Sequence, residues 1–254
     1  MTDRLTGKKA LITGSTSNIG RAIALAMAAE GADVVVSGRD GDRGAEVVAS
    51  IRDAGGSAHF IRAELDGTPA ASEALAQDAA RVLGGRIDIL VNNAGIFPGH
   101  TTMEADEALF DRIFGVNLKA PLFLTRALVP GMIERGGGVV INLGSWVSRL
   151  AVPSSPLYAA SKGATETLTR AWSAEFGSRG IRVNAISPGV ISTPGAPTEH
   201  AGWMMRGTPA DGAGHPDAIA AAAVYLASDD AAFVHGTVLD VDGGRVAVAV
   251  MAAA

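Results

Sequence analysis

The stretch Lys9-Ala10-Leu11-Ile12-Thr13-Gly14-Ser15-Thr16-Ser17-Asn18-Ile19-Gly20 decides how the rest of the chain is read. Its first five residues form a short apolar run suited to a strand, and Gly14 to Gly20 suit a tight turn. Residues 21–30 are then Ala- and Leu-rich, with helix propensity, and Gly31 stands where a helix ends. Asp33-Val34-Val35-Val36-Ser37 follows, a Val run of the kind buried on both faces of a parallel sheet. Strand, glycine-rich turn, helix and strand make a βαβ unit, whose crossover is right-handed.

The alternation continues to the end. Helical patterns cover residues 44–54, 68–83, 104–118, 121–134, 156–176 and 216–227, and strand patterns cover 58–62, 87–92, 138–143, 182–187 and 238–241. This predicts one α/β domain over residues 1–254: a Rossmann-type, doubly wound parallel sheet of about seven strands with helices on both faces. An eightfold barrel shares the alternation, but a glycine-rich turn after the first strand favours the open sheet. Residues 192–216 break the rhythm with Pro, Gly, Met and Trp. Irregular loops of this length are uncommon unless functional or disordered. The segment, with Trp203, Met204 and Met205, is expected to be a mobile flap over an apolar ligand; the competing reading is a surface insertion packing its own apolar residues.

The totals narrow the function. Of 254 residues, 48% are hydrophobic and 19% charged, which suits a well-buried core rather than a disordered chain. No Cys is present, so disulfides, thiolate metal sites and Cys nucleophiles are excluded. A net charge of −5 gives no electrostatic case for nucleic acid. Residues 1–9 carry no apolar signal region, and no apolar stretch is long enough for a membrane span. The expectation is a soluble cytoplasmic protein with no membrane partner. The His residues at 59, 100, 200, 215 and 235 show no ligand spacing, predict no metal, and read as surface or loop positions.

Two stretches carry chemistry. Backbone N–H groups where a tight turn enters a helix favour an anion, typically a pyrophosphate. In this turn Asn18 occupies a position suited to positive φ, which Asn tolerates best after Gly. About 20 residues further on, where a ribose is read, an acid would bind a 2′-hydroxyl and repel a 2′-phosphate. Here the chain has Ser37-Gly38-Arg39-Asp40. Gly38 offers no carboxylate and Arg39 is a bidentate phosphate donor. NADP(H) is therefore favoured, with NAD(H) the alternative should Asp40 turn inward. The second stretch is Tyr158-Ala159-Ala160-Ser161-Lys162. On a helix the phenol and the ammonium share one face, and the cation is expected to pull the Tyr pKa down, toward proton transfer near neutral pH. Ser145 is followed by Trp146 and lies in no G-x-S-x-G elbow, which argues against an α/β-hydrolase.

Thr13-Gly14-x-x-x-Asn18-x-Gly20, Asn92-Asn93-Ala94-Gly95, Asn117, Ser145, Tyr158-x-x-x-Lys162, Pro188-Gly189 and the closing Asp240-Val241-Asp242-Gly243-Gly244 fall in one order and spacing. In this the chain resembles the short-chain dehydrogenase/reductase family over essentially its whole length. In general appearance it is similar to bacterial 3-oxoacyl-acyl-carrier-protein reductases and to sugar or alcohol dehydrogenases. The resemblance implies an NAD(P)(H)-dependent oxidoreductase acting on a carbonyl/secondary-alcohol substrate: a 3-oxoacyl thioester, sugar, steroid or small ketone. It implies Tyr158 as acid/base, Lys162 as holder of the nicotinamide ribose and modulator of Tyr158, Ser145 as donor to the substrate oxygen, and Asn117 as holder of a relay water. It implies cofactor contacts from Gly14 to Gly20, from Gly38 and Arg39, and from Glu64 and Leu65 beside the adenine. Asn92, Ala94 and Gly95 follow on the same side, and Pro188, Gly189, Val190, Ile191 and Thr193 at the nicotinamide. Glu64 replaces the family's usual Asp, and its extra length puts that adenine contact in question. Ile96, Trp146 and Trp203 are the further substrate candidates; for Trp146 a core-packing role competes. Family members are commonly tetramers, so a homotetramer or homodimer is expected, with the apolar tail from Arg245 onward packed on a neighbouring subunit. A cofactor-holding regulatory protein without turnover is the competing function, and the presence of all four of Asn117, Ser145, Tyr158 and Lys162 favours the enzyme.

Overall fold

The Val- and Ile-rich runs, too apolar for a strand wetted on one face, become the middle of a sheet covered on both sides. The structure, a computed structural model, describes residues 3–150, 152–193 and 199–249. The strands are β1 (Lys9–Ile12), β2 (Asp33–Gly38), β3 (Ser57–Arg62), β4 (Ile89–Asn92), β5 (Gly138–Leu143), β6 (Ile181–Pro188) and β7 (Val238–Val241). They pair in the order β3-β2-β1-β4-β5-β6-β7, every neighbouring pair parallel. The helices are α1 (Asn18–Ala29), α2 (Gly41–Asp53), α3 (Pro69–Val82), α4 (Glu107–Phe114), α5 (Ala120–Glu134), α6 (Pro156–Phe176), α7 (Glu199–Met205) and α8 (Pro216–Ala227).

Strand alternation sorts the core into two layers. Ala10, Ile12, Val34 and Val36 face Ile23, Met27, Ile219 and Val224 of α1 and α8. Leu11, Val35 and Leu90 face Leu75, Leu124, Met132 and Trp172 of α3, α5 and α6. The strand order reverses between β1 and β4. The loops leaving those two strands part company there and open a cleft at the carboxyl edge of the sheet, the usual ligand position in this architecture.

Local chemistry sets most helix starts. Asp40 accepts from Arg43 N to cap α2, Thr68 caps α3 ahead of Pro69, and Asp106 caps α4. Ser17 at the start of α1 makes no such bond, and no acid follows in the first turn. The helix expected over 104–118 is divided: a 3₁₀ turn spans Thr102–Glu104, and α4 begins only after Asp106. At its far end α4 does not stop before α5. A single π turn, Gly115–Lys119, joins the two, and π turns recur at functional positions. Residues 192–216 are less irregular than expected. Ile191 bridges to Gly214 and α7 lies between them, while 194–198 fall outside the described residues. No helix among the described residues is long and apolar enough to cross a membrane.

Candidate active site

The glycine turn is a junction of three strands. Thr13 Oγ1 accepts from the backbone N–H groups of Asn93 (3.1 Å) and Ala94 (3.0 Å). The Asn93 amide donates to the carbonyls of Thr13 (2.8 Å) and Gly14 (2.9 Å). Ser15 is buried; its hydroxyl donates to Ile12 O (2.7 Å) and accepts from Ser37 N (2.9 Å), so it serves the turn rather than the cleft. Gly14 has φ +63°, and a Cβ there would meet Ala94 Cα at 2.8 Å. A Cβ on Gly20 would fall against the Gly14 carbonyl oxygen. Asn18 adopts the positive φ expected of it, 45°. Its Nδ2 donates to Thr193 Oγ1 (3.2 Å), and its buried Oδ1 has no partner.

The cleft has two lobes that share Gly95 and Ile96. The first, a cavity of about 690 Å³, is lined by Gly14, Gly38, Arg39, Glu64, Leu65 and Ala94. Thr16 lies against Gly38, and the exposed Ser17 precedes α1. Asp40 is committed to capping α2 and pairs with Arg43 at 3.3 Å, so the acid is not the residue aimed at this lobe. The second lobe, about 410 Å³, is lined by Asn18 and Ile19 on one side and by Ser145, Trp146, Tyr158 and Lys162 on the other. Pro188, Gly189, Val190 and Ile191 close its floor.

Two expectations need correction. Asn92 lies within β4, where strand alternation turns it into the core. Its amide donates to Asn142 Oδ1 (2.9 Å), and it lines neither lobe; its neighbour Asn93 does. Trp203 lines neither lobe and is 65% exposed, while Met204 forms part of the wall and Met205 is buried against Trp146. His100 lies in a loop, as expected, but is buried there: its Nδ1 sits 3.0 Å from Pro98 O, and its Nε2 accepts from Leu157 N at the start of α6.

The side chains of the second lobe are tightly held. Asn117, in the π turn, accepts from Ile96 N (2.8 Å) and donates to Ile96 O (3.1 Å) and Ser161 Oγ (3.1 Å). It therefore ties the loop after β4, at Ile96, to α6. Lys162 is buried and donates to Leu143 O (2.7 Å); its Nζ lies 5.7 Å from the Tyr158 ring centroid. Burial lowers the Lys162 pKa to about 8, opposed by the Glu166 carboxylate one turn on. Burial pushes the Tyr158 phenol up, and only a hydrogen bond with Ser145 pulls it back. The depressed phenol expected from sequence is thus absent, because the ammonium is turned onto a carbonyl and the ring is desolvated. Sequence reading passed over Glu166. It is buried, with its Oε1 2.6 Å from the Ser148 hydroxyl and its Oε2 3.9 Å from Arg149. Arg149 in turn pairs with Asp240 and donates to Ser187 Oγ (2.7 Å). Arg245, expected to open a tail packed on a neighbouring subunit, has its guanidinium 4.9 Å from the Trp146 ring centroid, so the tail begins by backing this chain's own cleft. Residues 250–254 of that tail fall outside the described residues.

The sheet order and the cleft at its switch point define a Rossmann-type protein. A family model described as Enoyl-(Acyl carrier protein) reductase matches residues 14–245. Galactitol 2-dehydrogenase (L-tagatose-forming) of Cereibacter sphaeroides is 39% identical over 95% of this chain and 96% of its own. A structure of 7α-hydroxysteroid dehydrogenase with NADH and 7-oxo glycochenodeoxycholic acid superposes with a TM-score of 0.90 at 36% identity, covering 96% of both chains. A blue fluorescent protein from a metagenomic library, in complex with NADPH, gives a TM-score of 0.89 at 33% identity over 95% of this chain and 99% of its own. The chain belongs to the short-chain dehydrogenase/reductase family. It is an NAD(P)-dependent oxidoreductase acting on alcohol and carbonyl groups.

Proposed function

We propose that the protein prefers NADP(H) and interconverts a ketone and a secondary alcohol with Tyr158 as the acid/base. The observation that carries this is the meeting of Ser145, Tyr158 and Lys162 on one wall, across from a helix start that no side chain caps. That helix start fits a dinucleotide. The first N–H groups of α1 lack internal partners and favour an anion, and the orphaned Asn18 Oδ1 calls for a donor. Gly14 to Gly20 would hold the pyrophosphate, with Thr193 beside Asn18. Leu65, Ala94 and Gly95 would hold the adenine side, with Glu64 at its edge. Arg39 would hold a 2′-phosphate, since Asp40 is occupied at α2. Lys162 would hold the ribose next to the nicotinamide, with Pro188, Gly189, Val190 and Ile191 beneath. When bound, the cofactor supplies or accepts the hydride.

The chain's own groups handle the proton and the oxygen. Tyr158, kept protonated by burial, gives its phenolic proton to the carbonyl oxygen as negative charge develops there. Ser145 donates a hydrogen bond to the same oxygen. Lys162 faces the phenol as a cation and stabilises the tyrosinate left behind. Asn117 fixes the Ile96 backbone and α6 so that these groups keep their spacing. The reverse direction runs through the same atoms.

Residues 192–216 are the substrate loop of a single domain in this reading, with Met204 its contribution to the wall. The assembly is a homotetramer or homodimer, and sedimentation velocity finding only monomer at micromolar concentration would contradict it. The function is tested by following NADPH and NADH oxidation in parallel against a panel of ketones. Faster turnover with NADPH supports the reading. Cofactor binding without turnover on any ketone or alcohol would leave a binding protein instead.

A further inference from the structure

Resting on that oxidoreductase reading, we propose that the substrate is an uncharged, apolar, ring-bearing ketone or secondary alcohol gripped between Phe97 and Trp146. The wall around the reacting groups is made by Ile96, Phe97, Trp146, Val147, Val190 and Met204. The Phe97 ring stands edge-on to the Tyr158 ring, with centroids 4.6 Å apart and an interplanar angle of 72°. It borders the phenol directly, yet Phe97 is 58% exposed, an apolar surface awaiting cover. Trp146, which lines the same lobe, is 7% exposed and held in place by Arg245 over its ring and by Met205 in the same apolar cluster. Two aromatic faces of this kind, one rigid and one exposed, suit a flat apolar body.

The polar groups of the lobe point the same way. Asn93 has both amide hydrogens committed to Thr13 and Gly14 carbonyls. Asn18 Nδ2 is committed to Thr193, and Lys162 to Leu143 O. Ser145 and Tyr158 together serve one oxygen, the reacting one. Apart from Lys162, the described residues of the lobe leave only the Trp146 indole N–H and the second amide hydrogen of Asn18 as side-chain donors, too few for the several hydroxyls of a sugar. Among the described residues Lys162 is the one cation lining it that could face a carboxylate or phosphate. Arg149 is taken by Asp240 and Ser187, and Arg245 lies on Trp146 outside the lining. Each unmatched hydroxyl desolvated on binding costs on the order of tenfold or more in kcat/KM. A sugar-like or acidic ketone bears several such groups, and a ring ketone bears none.

The test uses the full chain with NADPH and measures kcat/KM for four probes: 2-tetralone, D-fructose, 5-keto-D-gluconate and the acyclic N-acetylcysteamine thioester of 3-oxobutyrate. The expected result is that 2-tetralone exceeds each of the others by on the order of 100-fold. A second measurement removes turnover. In the Tyr158→Phe protein with NADPH, tryptophan fluorescence reports 2-tetralone binding, and adding Phe97→Ala should weaken it about tenfold. A higher kcat/KM for the polyhydroxy ketone, the keto acid or the thioester overturns the substrate class while leaving the hydride-transfer reading intact. Unchanged 2-tetralone affinity in the Phe97→Ala background also overturns it. NADPH binding without turnover of any probe overturns both readings.

Discussion

The two lobes of the cleft are made of different material. The first rests on main chain at Gly14, Gly38 and the Ala94–Gly95 segment, beside Arg39, Glu64 and Leu65, and the side chains around the glycine turn, Thr13, Ser15 and Asn93, bind backbone to backbone. The second is made of side chains whose state depends on what surrounds them: Tyr158 and Ser145 on each other, Lys162 on a carbonyl and on Glu166. A backbone site tolerates no added atoms but needs no tuning. A side-chain site can be reshaped atom by atom, and burial and charge set its behaviour. The first should therefore fail by steric damage, and the second by electrostatic damage that leaves binding alone.

The largest effect on cofactor binding should follow Gly20→Val. Any Cβ there strikes the Gly14 carbonyl, and an overpacked turn costing about 2–3 kcal/mol raises the NADPH Kd on the order of 100-fold. Isothermal titration calorimetry checks this, and unchanged affinity would remove the close-packed turn from the account. Arg39→Ala should raise the NADPH Kd about tenfold, one charge-assisted contact, with little change for NADH; equal losses would end its phosphate-reading role. In the second lobe, Glu166→Gln should act through charge. The carboxylate raises the Lys162 pKa against burial, so its loss lets the ammonium deprotonate at lower pH. The alkaline limb of the kcat/KM profile then moves toward neutrality; a limb that stays in place would make Glu166 purely structural. The smallest effect belongs to Asp40→Ala, which removes the α2 cap and lowers stability by about 1 kcal/mol. It should leave the NADPH/NADH ratio unchanged, and a changed ratio would show that the acid reads the ribose after all.

The same contrast explains what the amino-acid sequence disclosed. The sheet was legible because buried parallel strands and glycine-ended helices leave a pattern in Val34–Val36, Gly14 and Gly31. The positive φ of Asn18 was legible for the same reason. Asn92 misled because a one-residue step along a strand exchanges core for cleft, and the neighbouring Asn93 is chemically identical in print. The π turn at Asn117 stayed hidden because no residue type signals a π turn, and Pro121 just beyond it reads as the start of a separate helix. The raised phenol of Tyr158 and the roles of Glu166 and Arg245 needed three dimensions. Spacing puts Lys162 beside Tyr158 but cannot say that its Nζ turns to Leu143. A Glu on a long helix reads as a solvated face until Ser148 and Arg149 are seen around it.

The division of labour between the lobes is tested most directly on Tyr158→Phe, by measuring its NADPH Kd and its single-turnover rate of hydride transfer to an accepted ketone. The account predicts a Kd within about threefold of the unaltered protein and a rate lower by about 10³-fold, the usual scale for a lost general acid. A rate that survives intact, or a loss of NADPH affinity as large as the loss of rate, would contradict it.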